Sequence, residues 1–316
     1  MISIYKTIES SNGYTLEKVE NIEPGCWINV VAPSHQELLF ISKKTNVPME
    51  LLRASLDDEE TSRIDMDEDN NILLLLDIPF TEMEDNSLTY DTYPISLIHT
   101  EDLLITICLK NSKILLDFTD GKVKSFFTFK RSRFILQILH RIASYYLIYL
   151  RQIDKKSVMV EKRLHKSMKN KELIQLLSLE KSLVYFSTSL KSNEITLEKM
   201  LKLEIMQKYP EDQNILEDVI IENKQAIEMA NIYSNILSGT MDAFASVISN
   251  NLNIVMKFLA SVTIIMSIPN MISGMFGMNV NAIPFSDSPF GFWIVLGLIV
   301  GTSVLTTIIL NKKDMF

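Results

Sequence analysis

Length, composition and charge restrict the chain to a narrow range of protein classes. It has 316 residues, enough for two domains, and a formal net charge of −8, which argues against a nucleic-acid-binding protein. An apolar content of 47% with 16 methionines suits a protein that lies partly in water and partly in lipid. Cys26 and Cys108 lack the spacing of a metal or redox motif, so we expect reduced thiols in the core.

Residues 1–130 are predicted to form a mixed α/β domain. The runs ISIY and CWINVV suit short strands, and Ser34 with Glu37 forms the capping box of a helix. Three more strands, rich in Ile, Leu and Val, are predicted at residues 71–80, 88–100 and 102–109, with acidic turns between them. The last is almost wholly apolar, so we expect it at the centre of the sheet.

From Ser132 onward the pattern is helical. Residues 131–209 are predicted to pack against a stalk as one long helix, from Arg133 to Met168, and two shorter ones at 172–190 and 196–208. Pro210 opens the stalk helix itself, with acidic residues in the first turn, where the helix dipole favours them. We assign this stalk to residues 210–257.

Two C-terminal segments are apolar over enough residues to cross a bilayer. We predict a first transmembrane helix at residues 258–276 and a second at 290–310. An outer loop, residues 277–289, joins them, and residues 311–316 form a tail.

The charges beside these segments predict their orientation. Lys257 lies before the first span, Lys312 and Lys313 follow the second, and the loop between the spans has no Lys or Arg. The positive-inside rule then places both termini in the cytoplasm and the protein in the inner cell membrane. The predicted fold class is an α+β membrane protein: an N-terminal cytoplasmic α/β domain whose long stalk helix continues into the first of two transmembrane helices.

One stripe of the long helix is polar or small where the surrounding sequence is apolar. Steps of four and three residues connect its members with the 3.5-residue period of a coiled-coil seam. The members are Asp242, Ser246, Ser249, Asn253, Met256, Ala260, Thr263, Ser267, Asn270, Gly274 and Gly277. Lipid cannot hydrogen-bond Asn or Thr, so we interpret the stripe as a water-lined axis of an oligomer. A small-residue packing face would explain Ala260 and the glycines but not Asn253 or Asn270.

Enzymatic signals are poor, and we do not expect an enzyme. The four histidines have no metal-binding spacing, and no P-loop, G-x-S-x-G or Rossmann fingerprint occurs. The acidic segment, residues 57–69, holds eight carboxylates, which suit either a solvated loop or a weak divalent-cation sensor. A sensor here needs a second element or subunit because EF-hand spacing is absent. Asp218 and Glu222, one turn apart, are candidates for it.

The first span ends in Gly277-Met278-Asn279. This GMN motif follows an α/β domain, a long helix and the membrane entry SNNLNIVMKFL, and in that position it resembles the CorA magnesium channel family. The architecture corresponds over essentially the whole chain, and the sequence resemblance is clear from Asp218 onward. It implies a homopentameric, passive Mg²⁺ channel whose first span lines the pore and whose second span faces lipid.

The resemblance also implies roles for individual residues. Asn279 would be the selectivity asparagine, whose five carbonyl oxygens ring the outer mouth, although a role as helix C-cap is compatible with this. Asn253 would mark the cytoplasmic entry, Met256 and Leu259 a hydrophobic constriction, and Asp242 an acidic position on the axis.

A regulatory site is implied as well. Asp218 matches the carboxylate that holds regulatory Mg²⁺ between neighbouring cytoplasmic domains. Its partner should come from the acidic segment, with Asp67 ahead of Asp65 and Asp69, and Glu222 is a further candidate ligand.

The sequence departs from the family pattern at the mouth and within the span. The outer loop carries a single acid, Asp287, and Ser267 and Asn270 make the middle of the stripe more polar. These departures leave the ion open, and Co²⁺, Ni²⁺ or Zn²⁺ transport on the same fold is one alternative. A non-conducting, membrane-anchored cation sensor is the other.

Overall fold

A computed structural model describes most of the chain as two compact units, Met1–Gly239 and Thr240–Phe316. The described residues are 1–10, 13–58, 60–84, 87–167, 170–203, 209–279, 283–285 and 288–315.

The first unit is built on a seven-stranded sheet in the order β2-β1-β3-β7-β6-β5-β4. β3 and β7 are parallel and every other neighbouring pair is antiparallel. The strands are β1 (Ile2–Ser10), β2 (Gly13–Val19), β3 (Trp27–Val31), β4 (Arg63–Met66), β5 (Ile72–Glu84), β6 (Ser87–His99) and β7 (Leu104–Cys108).

Strand β7 has the central, buried position that its apolar sequence predicts. All five of its residues are buried, and it lies between β3 and β6. Successive side chains of the neighbouring strand β3 point to opposite faces of the sheet. Ile28 packs in a core with Leu38 and Ile41 of the first helix, whereas Trp27 contacts Phe134 from a later helix edge-on, at 5.1 Å between ring centroids. The sheet is therefore covered by helices on both faces.

Two helices lie between β3 and β4 in the chain, and the other helices follow β7. They are α1 (His35–Thr45), α2 (Met49–Arg53), α3 (Lys113–Thr119), α4 (Arg131–Ser167), α5 (Asn170–Met200), α6 (Pro210–Phe276) and α7 (Gly291–Lys312). The capping box of α1 is confirmed: Glu37 N–H donates to Ser34 Oγ, and Ser34 N–H donates to the Glu37 carboxylate.

The prediction of two helices at residues 172–190 and 196–208 was wrong. The structure has one continuous helix, α5, which runs through the first segment and ends at Met200, within the second. Residues 191–195, which lie between the two predicted segments, continue the helix. Asn193 points into the fold, where it accepts a hydrogen bond from Asp77 N–H at 2.9 Å and donates to Asp77 O at 2.8 Å. It fastens α5 to β5, so polarity here marks an internal contact. Residues 204–208 lie outside the described part of the chain.

The acidic segments are also more ordered than predicted. β5 continues through the expected turn as far as Glu84, and Lys110 forms an ion pair with Glu82 beside it. Within the acidic segment, β4 pairs with β5 from Arg63 to Met66. Strand β2 was not predicted.

Helix α6 begins in the first unit and continues into the second. Its first turns are fixed to α4 by the ion pair of Arg133 with Glu211 at 2.9 Å, and to α5 by Asn223, which donates to Leu190 O at 2.9 Å. It has 67 residues and runs through Pro269. Both α6 and α7 are long and apolar enough to cross a membrane.

Candidate functional site

The predicted stripe on α6 is exposed along its whole length. From Asp242 to Gly277 every member of the repeat is exposed in the chain, as is Leu259 beside it. Met256 and Leu259 keep 58% and 53% of their side chains accessible. The polar face is therefore not turned inward against the chain's own second apolar helix.

A different face of α6 is covered. Ser261 is fully buried on this face, and Ile265, Ile268 and Ile272 are half-buried. Ser261 Oγ donates to Met315 O, just beyond α7, at 2.9 Å. At about 100° per residue, this covered face lies roughly 160° from the stripe, almost on the opposite side of the helix. One helix thus has a covered face and, nearly opposite to it, an exposed polar face.

Hydroxyl groups of the stripe have their protons committed to the helix backbone. Thr263 Oγ1 donates to Leu259 O at 2.8 Å, and Ser267 Oγ donates to Ile264 O at 2.8 Å. Such back-bonding leaves the oxygen lone pairs directed outward as acceptors. The amides of Asn253 and Asn270 have no hydrogen bond to any described residue. Together these groups offer acceptors to water molecules or to the shell of a hydrated cation.

The exposed flanks of the stripe are mostly apolar. They include Ile264, Met266, Met271 and Met275, each with at least 41% of its side chain accessible. Polar acceptors thus form a narrow band between apolar surfaces that suit lipid or another helix. A uniform membrane anchor would not need this division.

The GMN motif follows directly on the end of α6. The helix ends at Phe276, so Asn279 lies three residues beyond it and is exposed; its placement is not that of a helix cap. Gly277 N–H donates to Ser273 O at 2.8 Å, and a Cβ at Gly277 would approach that oxygen to 3.1 Å. Close packing, rather than an unusual turn, accounts for this glycine. Asp287 of the outer loop lies outside the described residues.

The carboxylates of the acidic segment differ in how free they are to bind a cation. Asp65 forms an ion pair with Arg63 Nε at 2.6 Å. Asp67 Oδ1 accepts from the N–H groups of Asp69 and Asn71, and its Oδ2 accepts from Asn71 Nδ2 at 2.8 Å. A carboxylate has about four lone-pair sites, so Asp67 retains one on Oδ2. Asp69 is exposed.

The two candidate carboxylates on α6 also differ in how free they are to bind a cation. Asp218 is exposed and has no ion pair with a described residue, whereas Glu222 Oε1 lies 3.4 Å from His140 Nε2. Among the described residues, no group of three or more His, Cys, Asp or Glu side chains is arranged to hold a metal ion. A site that uses Asp218 therefore needs ligands from elsewhere.

The 3.5-residue repeat continues beyond Asp242 toward the start of α6. Continuing backward by three and four residues gives positions that are all exposed: Asp218, Ile221, Gln225, Glu228, Ile232, Asn235 and Gly239. The same counting rule would have found them. Asp218 is thereby in register with the stripe that ends at the GMN motif.

Fold and site together define a class of protein. A large α/β domain is followed by one long helix whose C-terminal part is apolar, and then by a second apolar helix. The long helix carries an exposed polar stripe.

The chain belongs to the family of CorA-like Mg²⁺ transporter proteins, whose family model matches residues 23–313. It is 29% identical over 283 residues to the cobalt/magnesium transport protein CorA of Methanocaldococcus jannaschii, covering 87% of this chain and 86% of the relative. It also resembles the complete structure of the M. jannaschii CorA magnesium transporter, with a TM-score of 0.80, 27% identity, and coverage of 98% and 96%. The full-length CmaX protein has the same fold, with a TM-score of 0.70 at 16% identity over 98% and 96% of the two chains.

Proposed function

We propose that this protein is a passive, membrane-potential-driven uptake channel for Mg²⁺, formed by five copies of the chain. Residues 258–276 and 290–310 span the inner cell membrane, and both termini lie in the cytoplasm. The first span lines the pore and the second separates it from lipid. The observation that carries the proposal is the exposed polar stripe of α6, which lies nearly opposite the covered face of the same helix.

The chemistry of the stripe suits a hydrated divalent cation. Mg²⁺ gives up its water reluctantly, and the water molecules around it direct their hydrogens outward. Neutral oxygens of Asn253, Thr263, Ser267 and Asn270 accept such hydrogens without trapping the ion. Conduction requires this weak binding, and the carbonyl ring of Asn279 supplies it at the outer mouth.

Membrane potential suffices as the driving force. A charge of +2 gains ~4.6 kcal/mol per 100 mV, so uptake requires no ATP. In liposomes that contain the protein and a trapped Mg²⁺ indicator, we expect Mg²⁺ entry when an inside-negative potential is imposed without a pH gradient. Protein-free liposomes are the control. Zn²⁺, Co²⁺ or Ni²⁺ entry that needs a pH gradient would favour the transition-metal alternative, and no flux of any cation would favour a membrane-anchored sensor.

The proposal includes feedback by cytoplasmic Mg²⁺. Asp218 of one subunit, with Glu222 nearby, and the acidic segment of a neighbour would share a regulatory ion, and its binding would favour the closed pore. Asp67 retains one lone pair for this purpose and Asp69 is exposed, while Asp65 is already paired with Arg63.

Removing both carboxylates should weaken that feedback. In Asp218→Asn with Asp67→Asn, we expect the Mg²⁺ concentration that halves the current to rise at least about tenfold, the loss of ~1.4 kcal/mol of ion binding. Currents from excised patches with Mg²⁺ varied on the cytoplasmic side measure this. The control, Glu217→Gln with Asp102→Asn, removes the same charge from two exposed positions. An unchanged Mg²⁺ dependence in the first variant refutes the assignment.

A further inference from the structure

A cavity lined by described residues lies in the first unit, and none of its lining residues belongs to the acidic segment. Its volume is about 830 Å³, within the usual range for small-molecule sites. The end of β6, the loop before α4, the start of α4 and the first turn of α6 form its walls. Nothing in the proposed ion path uses it.

The walls of this cavity are cationic in a chain that is acidic overall. Lys130, Arg131 and Arg133 line it, with Glu211 and Asp212 as the carboxylates among the described lining residues. Both carboxylates form ion pairs with Arg133. Lys130 and Arg131 have no ion pair with a described residue, so two positive charges remain available to an occupant.

The first turn of α4 adds backbone donors to these charges. Lys130 O accepts from Phe134 N–H at 2.9 Å, which makes Lys130 the residue that opens this 37-residue helix. The N–H groups of Arg131, Ser132 and Arg133 therefore have no intrahelical acceptor. Donors of this kind, at the positive end of a helix dipole, bind phosphate and other anions.

His99 provides an independent sign of a ligand. Its side chain is only 8% exposed and lines the cavity, yet it has no hydrogen bond to any other described residue. Burial, followed by the positive charge of Arg131, lowers the pKa of this imidazole to about 4. The ring is therefore neutral near pH 7, and its hydrogen bond is with its own backbone, so an acceptor on an occupant would compete for its N–H.

Aromatic side chains lie on another part of the same wall. Phe127 and Phe129 pack with ring centroids 5.4 Å apart, and Tyr209 lines the cavity as well. Phe129 and Tyr209 keep 42% and 54% of their side chains accessible. Such faces accept a flat heterocycle by stacking.

We propose that this cavity binds a nucleoside polyphosphate. The phosphates contact Lys130, Arg131, His99 and the first N–H groups of α4, and the base stacks on Phe129 and Tyr209. The ligand would also contact the first turn of α6, the helix that carries Asp218. The proposal is independent of transport, because it concerns binding to the first unit.

Calorimetric titration of the detergent-solubilised full chain with ATP, in the absence of divalent cations, tests the proposal. We expect saturable binding at one site per chain, weaker binding of inorganic triphosphate, and still weaker binding of adenosine. Excluding divalent cations keeps chelation by ATP from being mistaken for binding. No saturable ATP binding overturns the proposal, and equal affinity for inorganic triphosphate overturns the part that concerns the nucleoside.

Two variants locate the site. Lys130→Gln with Arg131→Gln should raise the Kd for ATP at least about tenfold, whereas Lys43→Gln with Lys44→Gln, an exposed pair on α1, should leave it unchanged. Phe129→Ala should weaken ATP binding but not triphosphate binding. Because this variant retains triphosphate binding only if it is folded, it tests the site even if the double variant misfolds. ATP affinity that is unchanged in both cavity variants contradicts the assignment.

Discussion

Thr263→Val with Asn270→Leu should reduce Mg²⁺ uptake at least about tenfold, equivalent to a barrier raised by ~1.4 kcal/mol. Both residues lie on the exposed stripe of α6. The substitutions keep the side-chain size nearly constant but remove the acceptors that would hold the water around the ion. In the proposed pentamer, each change would add an apolar ring, and apolar rings exclude water from a narrow pore.

Helix α7 offers a control for this variant, with Thr307 inside the second span and Asn311 at its cytoplasmic end. Thr307→Val with Asn311→Leu makes the same chemical changes on α7, where both residues are exposed. Thr307 Oγ1 donates to Ser303 O at 2.9 Å, and Thr263 Oγ1 likewise donates to the carbonyl oxygen four residues before it in α6. Uptake by this control should remain within about twofold of that by the unaltered protein, a much smaller change than the tenfold loss expected for the α6 variant. Equal losses in both pairs would show that hydrophobicity, not position, decides the outcome.

Asn279→Ala should lower Mg²⁺ flux more than about tenfold and reduce the preference for Mg²⁺ over monovalent cations. The side chain is exposed beyond the last turn of α6, free of any capping role there. In the proposed pentamer, its loss would remove the ring of carbonyl oxygens that binds the hydrated ion through its water molecules. Initial rates of Mg²⁺ and K⁺ entry into liposomes, compared with those of Asn311→Ala, measure both effects. Undiminished Mg²⁺ entry would contradict the selectivity role.

A charged replacement distinguishes weak from strong binding at the same position. In the proposed pentamer, Asn279→Asp would place five carboxylates where five amides stand. If hydrated Mg²⁺ must leave readily, this variant should bind the ion more tightly and conduct it more slowly. Faster conduction would indicate that charge concentration at the mouth, rather than weak binding, limits the flux.

The sequence predicted most of the architecture because its signals are periodic and long. The apolar run of β7, the capping box at Ser34 and the uninterrupted α6 all follow from local patterns. The division of α5 failed because a sequence does not reveal whether a polar residue faces water or the sheet. Asn193 faces the sheet and is satisfied by the backbone of Asp77.

The candidate path was predictable from counting alone, and its surroundings were not. Steps of four and three residues identify the stripe, and the same steps lead back to Asp218. The side of α6 that is covered depends on packing, and Ser261 gave no signal of its hydrogen bond to Met315. The cavity beside α4 was likewise hidden, since its lining runs from His99 on β6 to Asp212 on α6, more than 100 positions later in the chain.

The measurement that tests the central claim most directly is a cysteine scan of α6 from Asn253 to Gly274. The native thiols of Cys26 and Cys108 are fully buried, and burial raises the pKa of both, so they should stay silent toward a charged, water-soluble thiol reagent. Single cysteines are introduced one at a time, and Mg²⁺ uptake is recorded before and after reaction.

We predict that the reagent blocks uptake with a 3.5-residue period, at stripe positions such as Thr263→Cys and Ser267→Cys. Substitutions on the covered face, such as Ile265→Cys and Ile272→Cys, should remain unaffected. Block at the covered positions, or block without any period along α6, would contradict a pore lined by the stripe.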